Sequence, residues 1–324
     1  MTEKLEIEDL QVRFDVGAMR APALDGVSLS VPLDGYTLGI VGESGSGKTT
    51  LGMSVMNAIE PPGQVTRGRV SYAGKNVLEF GDKELREYRW EKVSMVYQSA
   101  MNSLNPVKRA IDPIVEVLQE HRQMPKEEAL EVASKLLLDV GIKSIHFRDY
   151  PHELSGGMRQ RVVIALALAL SPRLLIADEP TSALDVVTQK NILSLLKQKA
   201  SIQGLSLVFI THEISVLNGL VDHVAVMYAG EIVEQGELRR VLSEPKHPYT
   251  EMLLGTLLTL DTDINQAALQ SVASGRETRA DRIPVGNLCK FAGRCKYAFD
   301  RCWKERPEAR EIEKDWWVSC HKYQ

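Results

Sequence analysis

The sequence predicts an α/β fold, a mostly parallel sheet flanked by helices, with a helical insertion and a small cysteine-rich C-terminal extension. Three observations predict it. Strand-like and helix-like stretches alternate along the chain. A glycine-rich loop joins a short buried strand to a helix. A second apolar strand, Leu174 to Ala177, runs into Asp178 and Glu179. The 324 residues are 44% apolar and 25% charged, the composition of an ordinary globular protein with material for a core.

Taken in order, Leu5 to Phe14 mixes polar and apolar residues like an edge strand, and Val27 to Val31 alternates strictly. Thr37 to Val41 reads as a buried strand, followed by the loop and then a helix over LGMSVMNAIE, stopped at Pro61-Pro62. From about Gly81 to Leu154 charged helical patterns (Lys83 to Glu91, Ile111 to His121, Lys126 to Val140) suggest a helical insertion. Strands resume at Leu174 to Ala177, Leu205 to Thr211 and Val221 to Tyr228, with a long apolar helix at Arg161 to Leu170. These patterns divide the chain into a main domain over 1–255, with its helical subdomain at about 99–160, a polar linker over 256–286 and a cysteine segment over 287–324.

Gly42, Glu43, Ser44, Gly45, Ser46, Gly47, Lys48 and Thr49 match the phosphate-loop pattern GxxxxGK[ST], with Thr50 completing the group facing a nucleotide. Its backbone N–H groups turn inward on phosphate oxygens, and the following helix aims its positive end at them. Lys48 reaches the β- and γ-phosphates and Thr49 ligates Mg²⁺. Asp178 then holds Mg²⁺ through water, and Glu179 polarises the attacking water as general base. Ser155 is placed to cap a helix behind two open glycines, Gly156 and Gly157.

LSGGMRQ (Leu154 to Gln160), lying between the phosphate loop and the acidic strand, resembles the signature of ATP-binding-cassette (ABC) ATPases. The resemblance implies a P-loop ABC ATPase core that includes an antiparallel edge subdomain. It implies a Q-loop role for Gln98, sensing Mg²⁺ or the attacking water, and a D-loop role for Ser182 to Asp185. His212 is then the switch histidine at the γ-phosphate. Phe14, 28 residues before Gly42, is the aromatic ring that stacks on adenine. Ser103 to Pro106 and His247 to Thr250 resemble the oligopeptide/dipeptide-importer branch, whose members import peptides, nickel or oligosaccharides. Gln98 is followed by Ser99-Ala100, where that family usually has an acidic residue and proline.

The resemblance implies a catalytic set of Glu179, His212, Gln98 and Lys48, and a Mg²⁺ set of Thr49, Gln98 and Asp178. The ATP site draws Ser155, Gly156, Gly157 and Asp185 from a second cassette, either a related heterodimer partner or another copy. Hydrolysis then drives solute import at the cytoplasmic face of the cell membrane, with permease subunits and an extracytoplasmic solute-binding protein. The alternative is a non-transport ABC ATPase acting on nucleic acid or ribosomes. A net charge of −4 with no basic block speaks against nucleic acid. The N-terminus has no apolar signal segment, and the longest apolar run, Val162 to Leu170, falls short of the ~20 residues of a spanning helix.

All four cysteines lie at Cys289, Cys295, Cys302 and Cys320. Clustered without a signal peptide, they read as a metal site. The spacing allows Cys₄ zinc, a 4Fe-4S cluster, or free or disulfide-bonded thiols. Resemblance to the importer subunits favours 4Fe-4S, with Arg294, Lys296, Arg301 and Lys304 offsetting its charge and the cluster holding together a tail too small to fold alone.

Overall fold

The computed structural model describes residues 3–14, 22–98, 103–181, 184–258 and 286–324. Residues 259–285 of the expected linker, together with Ser99, Ala100, Ser182 and Ala183, lie outside the described residues.

The chain opens with β1 (Lys4–Phe14), β2 (Leu24–Pro32) and β3 (Thr37–Val41), then α1 (Lys48–Val55). β4 (Gly63–Tyr72), β5 (Lys75–Asn76), α2 (Asp82–Tyr88) and β6 (Val93–Val96) follow. The insertion is α3 (Asp112–Arg122), α4 (Lys126–Asp139) and α5 (Gly156–Ala167). The main sheet continues through β7 (Leu174–Asp178), α6 (Val186–Gln203), β8 (Ser206–Thr211), β9 (His223–Tyr228) and β10 (Glu231–Glu237). The chain closes with α7 (Leu238–Ser243), α8 (Pro248–Leu258), β11 (Arg310–Glu313) and β12 (Trp316–Val318).

Two sheets result. A four-stranded antiparallel sheet has the order β2-β1-β4-β5, and an eight-stranded one has the order β11-β12-β10-β9-β3-β8-β7-β6. The run β9-β3-β8-β7-β6 is parallel, and β10, β12 and β11 add antiparallel. Strand alternation sends Leu174 and Ile176 of β7 into one core, shared with α1 and the small sheet. Leu175 and Ala177 enter the other core, against the insertion helices. Both faces are covered, so the central strands read as continuous apolar runs.

Three expectations change. β1 is not an edge strand but pairs with both β2 and β4. Its polar residues mark a sheet with one open face, where Arg69 crosses to Glu8 and Arg67 to Asp9. The stretch read as purely helical insertion contains β6, four buried residues completing one edge of the main sheet. The C-terminal segment is not a separate appendage. β12 pairs with β10, and Trp316 and Val318 are 2% and 1% exposed in the larger core. There the Trp316 indole N–H donates to the buried Glu234 carboxylate at 3.0 Å, whose other oxygen accepts the His247 backbone N–H.

Candidate nucleotide site

The phosphate loop is fixed by backbone it cannot move away from. A Cβ on Gly42 would lie 2.1 Å from the Met227 carbonyl oxygen, and one on Gly47 would lie 2.5 Å from that of Ala23. Gly47 also has φ +100°, in the left-handed region where glycine is unstrained, and directly precedes α1. Ser44, Gly45 and Thr49 remain exposed at the mouth. Lys48 folds back into the loop, its Nζ donating to the carbonyls of Gly42 at 2.7 Å and Glu43 at 2.9 Å. Burial lowers its pKa, opposed by the charges of Glu179, Asp178 and Glu43.

Asp178 ends β7 and is 1% exposed, with neither carboxylate oxygen meeting a donor in hydrogen-bond geometry. Burial raises its pKa; the facing Thr49 hydroxyl and the Lys48 charge offset this in part. An orphaned buried carboxylate beside a lysine and a threonine fits a divalent cation, because such a charge is costly without a partner. Alternation along a strand would send Glu179 to the opposite face. A left-handed φ of +46° at Glu179 breaks that alternation, a strain of about 1 kcal/mol for a non-glycine residue. Glu179 accordingly accepts a hydrogen bond from Gln98 Nε2 at 3.1 Å and meets His212 Nδ1 at 2.8 Å. Lys48, Gln98, Asp178, Glu179 and His212 therefore lie around one site.

Ser155, Gly156, Gly157 and Asp185 form a second group. The Ser155 hydroxyl accepts the Met158 N–H at 3.2 Å and caps α5, which starts at Gly156 rather than Arg161. The Asp185 carboxylate caps α6 by accepting the N–H groups of Val187 and Thr188; the Thr188 hydroxyl first, and then these N–H groups, lower its pKa. Gly157 packs near Thr188 and Leu184, so the two helix starts adjoin. Phe14 ends β1 with Ile59 and Gly63 beside it; two residues earlier the Val12 carbonyl accepts the N–H of Ala23, whose own carbonyl lies against Gly47 of the loop.

Two residues that sequence reasoning missed also reach the loop. The Glu43 N–H donates to the Tyr249 hydroxyl at 2.9 Å, and Arg294 grips the Glu43 carboxylate with both Nη atoms, at 2.8 and 2.9 Å. Positions 206 and 251 apart carry no local signal.

A family model described as "ABC transporter" matches residues 24–182, and one described as "Oligopeptide/dipeptide transporter, C-terminal region" matches residues 233–302. The oligopeptide transport ATP-binding protein AppD of Bacillus subtilis is 38% identical, over 100% of this chain and 98% of its own. The chain belongs to the ABC transporter family. OppD of Bacillus subtilis is 41% identical over 95% of this chain and 85% of its own, and OppD of Escherichia coli 39% over 94% and 88%. Among solved structures, the dimeric ATP-binding cassette MJ0796 in a post-hydrolysis state bound to ADP and Pi is 30% identical, with a TM-score of 0.67. The match covers 72% of this chain and 99% of that one. ATP and Mg²⁺ are the ligands expected of an ABC family member.

Two expectations are corrected. These relatives are named for oligopeptide or dipeptide transport, so the oligosaccharide assignment is dropped. Among the described residues no group of three or more His, Cys, Asp or Glu side chains forms a metal-holding set. The 4Fe-4S assignment and its zinc alternative therefore do not stand. Cys289, Cys295, Cys302 and Cys320 are free thiols lining a small cavity with Phe291, Phe299 and His247. Burial pushes Cys289 up to about 12 and also raises Cys295 and Cys320, favouring the neutral thiol. The nearby cations are used elsewhere: Arg294 on Glu43, Lys296 on Glu251 and Arg301 on Glu305.

Proposed function

We propose that this chain is the ATP-hydrolysing subunit that powers an importer of oligopeptides or dipeptides. The observation that carries the reading is the convergence of Lys48, Asp178, Glu179, Gln98 and His212 at the mouth of the phosphate loop. Lys48 exchanges its loop carbonyls for the β- and γ-phosphates. Asp178, Thr49 and Gln98 would hold Mg²⁺, which would supply charge neutralisation at the transferring phosphoryl group. Glu179 takes the proton of the attacking water, and His212 and Gln98 fix the orientation of its carboxylate. Phe14, at the end of β1 and two residues from the Val12–Ala23 bond beside Gly47, stacks on the adenine ring.

Ser155 is exposed, and neighbouring Val187 is 69% exposed. The α5 and α6 starts are thus free to meet a second cassette, a related subunit or another copy. Among the described residues no helix is long and apolar enough to cross a membrane. Separate permease subunits therefore carry the solute, this chain binds them peripherally at the cytoplasmic face, and a solute-binding protein selects the peptide. The main domain, linker and C-terminal segment bounded at 255 and 286 belong to the same proposal.

A strain lacking this chain tests the reading. Growth on di- and oligopeptides as the amino-acid source should fail and return with the wild-type chain but not with Lys48→Ala. Undiminished peptide uptake in the deletion strain sinks the peptide assignment.

A further inference from the structure

Glu43, the second residue of the phosphate loop, is held at three points by three parts of the chain. Its N–H donates to the hydroxyl of Tyr249, a side chain with no exposed surface. Its carbonyl accepts Lys48 Nζ. Its carboxylate is gripped by the Arg294 fork, from the segment between Cys289 and Cys295.

The two outer anchors are built as one unit. The Tyr249 ring packs against Tyr228 at 4.6 Å and Phe291 at 5.5 Å between centroids. The Arg294 guanidinium lies over the same Tyr228 and Phe291 rings, at 5.8 and 5.9 Å. Close by, Lys290 of the same segment pairs with Asp25 at 2.8 Å and Glu231 at 3.0 Å, tying the tail to the strands that flank the loop.

We infer that Arg294 and Tyr249 are positioning residues of the nucleotide site, holding Glu43 so that the phosphate loop keeps its shape and carries no unpaired negative charge where the triphosphate binds. The inference rests on the reading of this loop as the ATP site. Its physical content is in what nucleotide binding removes. When Lys48 leaves the Gly42 and Glu43 carbonyls for phosphate, the Glu43 carbonyl keeps the Ser46 N–H of the loop itself at 3.1 Å, and Tyr249 and Arg294 are the anchors that hold Glu43 from outside the loop. Without Arg294, the Glu43 carboxylate, 41% exposed, would face a polyanion with no cation paired to it, a repulsion that solvent screens only in part. Lysine would restore the charge but not the two parallel bonds of the fork. Both residues reach the loop through Glu43 and stand outside the Gln98, Glu179 and His212 group, so both act on binding rather than on the chemical step.

The experiment is equilibrium titration of the full chain with MgATP, together with ATPase kinetics in the assembled transporter. Arg294→Gln is expected to weaken MgATP binding about tenfold and to raise KM with kcat within about twofold, as lost ground-state binding should. Arg294→Lys should fall between it and the wild type. The double variant Glu43→Gln/Arg294→Gln should bind MgATP more tightly than Arg294→Gln alone, because it removes the orphaned charge together with its partner. Tyr249→Phe should weaken binding severalfold by leaving the Glu43 N–H unpaired. Native binding by Arg294→Gln overturns the inference, as does a double variant no tighter than Arg294→Gln. Should Arg294→Gln not fold, Arg294→Lys decides: unaltered affinity overturns the inference and weakened affinity upholds it. Wild-type chain that bound no MgATP would overturn the phosphate-loop reading as well; wild-type binding with an unaffected Arg294→Gln overturns this inference alone.

Discussion

His212 Nδ1 lies 2.8 Å from Glu179 Oε1 while Gln98 Nε2 lies 3.1 Å from Oε2 of the same carboxylate, so Glu179 is oriented from both sides. The three residues come from different parts of the sheet. Gln98 follows β6, Glu179 follows β7, and His212 follows β8. Because β6, β7 and β8 are adjacent and parallel, their C-terminal ends lie side by side. The parallel sheet therefore assembles the three, and the left-handed turn at Glu179 aims its side chain at the other two.

Glu179→Gln keeps the shape of the side chain and its capacity to accept a hydrogen bond but removes the base. Turnover in the assembled transporter should fall by about 100-fold or more, with MgATP affinity retained and an ATP-bound dimer accumulating. Phosphate release measured beside nucleotide binding checks this. Hydrolysis near the wild-type rate removes Glu179 as the base.

The parts of this site legible in the sequence are those whose chemistry is local. The phosphate loop is contiguous, and the strand entering Asp178-Glu179 is a short apolar run with both faces buried. Gln98 and His212 became legible only through family resemblance, since a lone polar residue after a strand has no distinguishing pattern. Arg294 stayed hidden because its partner Glu43 is 251 positions away and pairing at that distance is set by the tertiary fold alone. The cysteine segment misled for a related reason. It holds all four cysteines of the chain, which point toward a metal, whereas the residues that join it to the sheet, Trp316 and Val318, belong to a strand of only three residues.

Trp316 and Trp303 offer a direct contrast on whether the tail belongs to the core. Trp316 is 2% exposed and bonded to Glu234, while Trp303 is 51% exposed. Trp316→Ala should destabilise the chain by about 3–5 kcal/mol. Trp303→Ala should stay within about 0.5 kcal/mol of the wild type. Urea unfolding of both variants measures the difference, and equal small losses would mean that β12 contributes nothing to the main core.

His247 gives a pH dependence whose sign follows from burial. The ring is 2% exposed and accepts the Tyr249 N–H at Nδ1, and burial pulls its pKa down to about 3 from an ordinary 6.5. Between those values the unfolded chain takes up a proton that the native chain refuses. Stability contributed by this site is thus full above pH 6.5 and declines as pH falls, by up to about 1.4 kcal/mol per unit. His247→Asn retains an acceptor for the Tyr249 N–H but cannot titrate. Between pH 6.5 and 5 the wild type should lose about 1–2 kcal/mol more than this variant. Urea midpoints of the two chains at both pH values measure the difference, and parallel losses would show that the native His247 ring takes up its proton as an exposed histidine does.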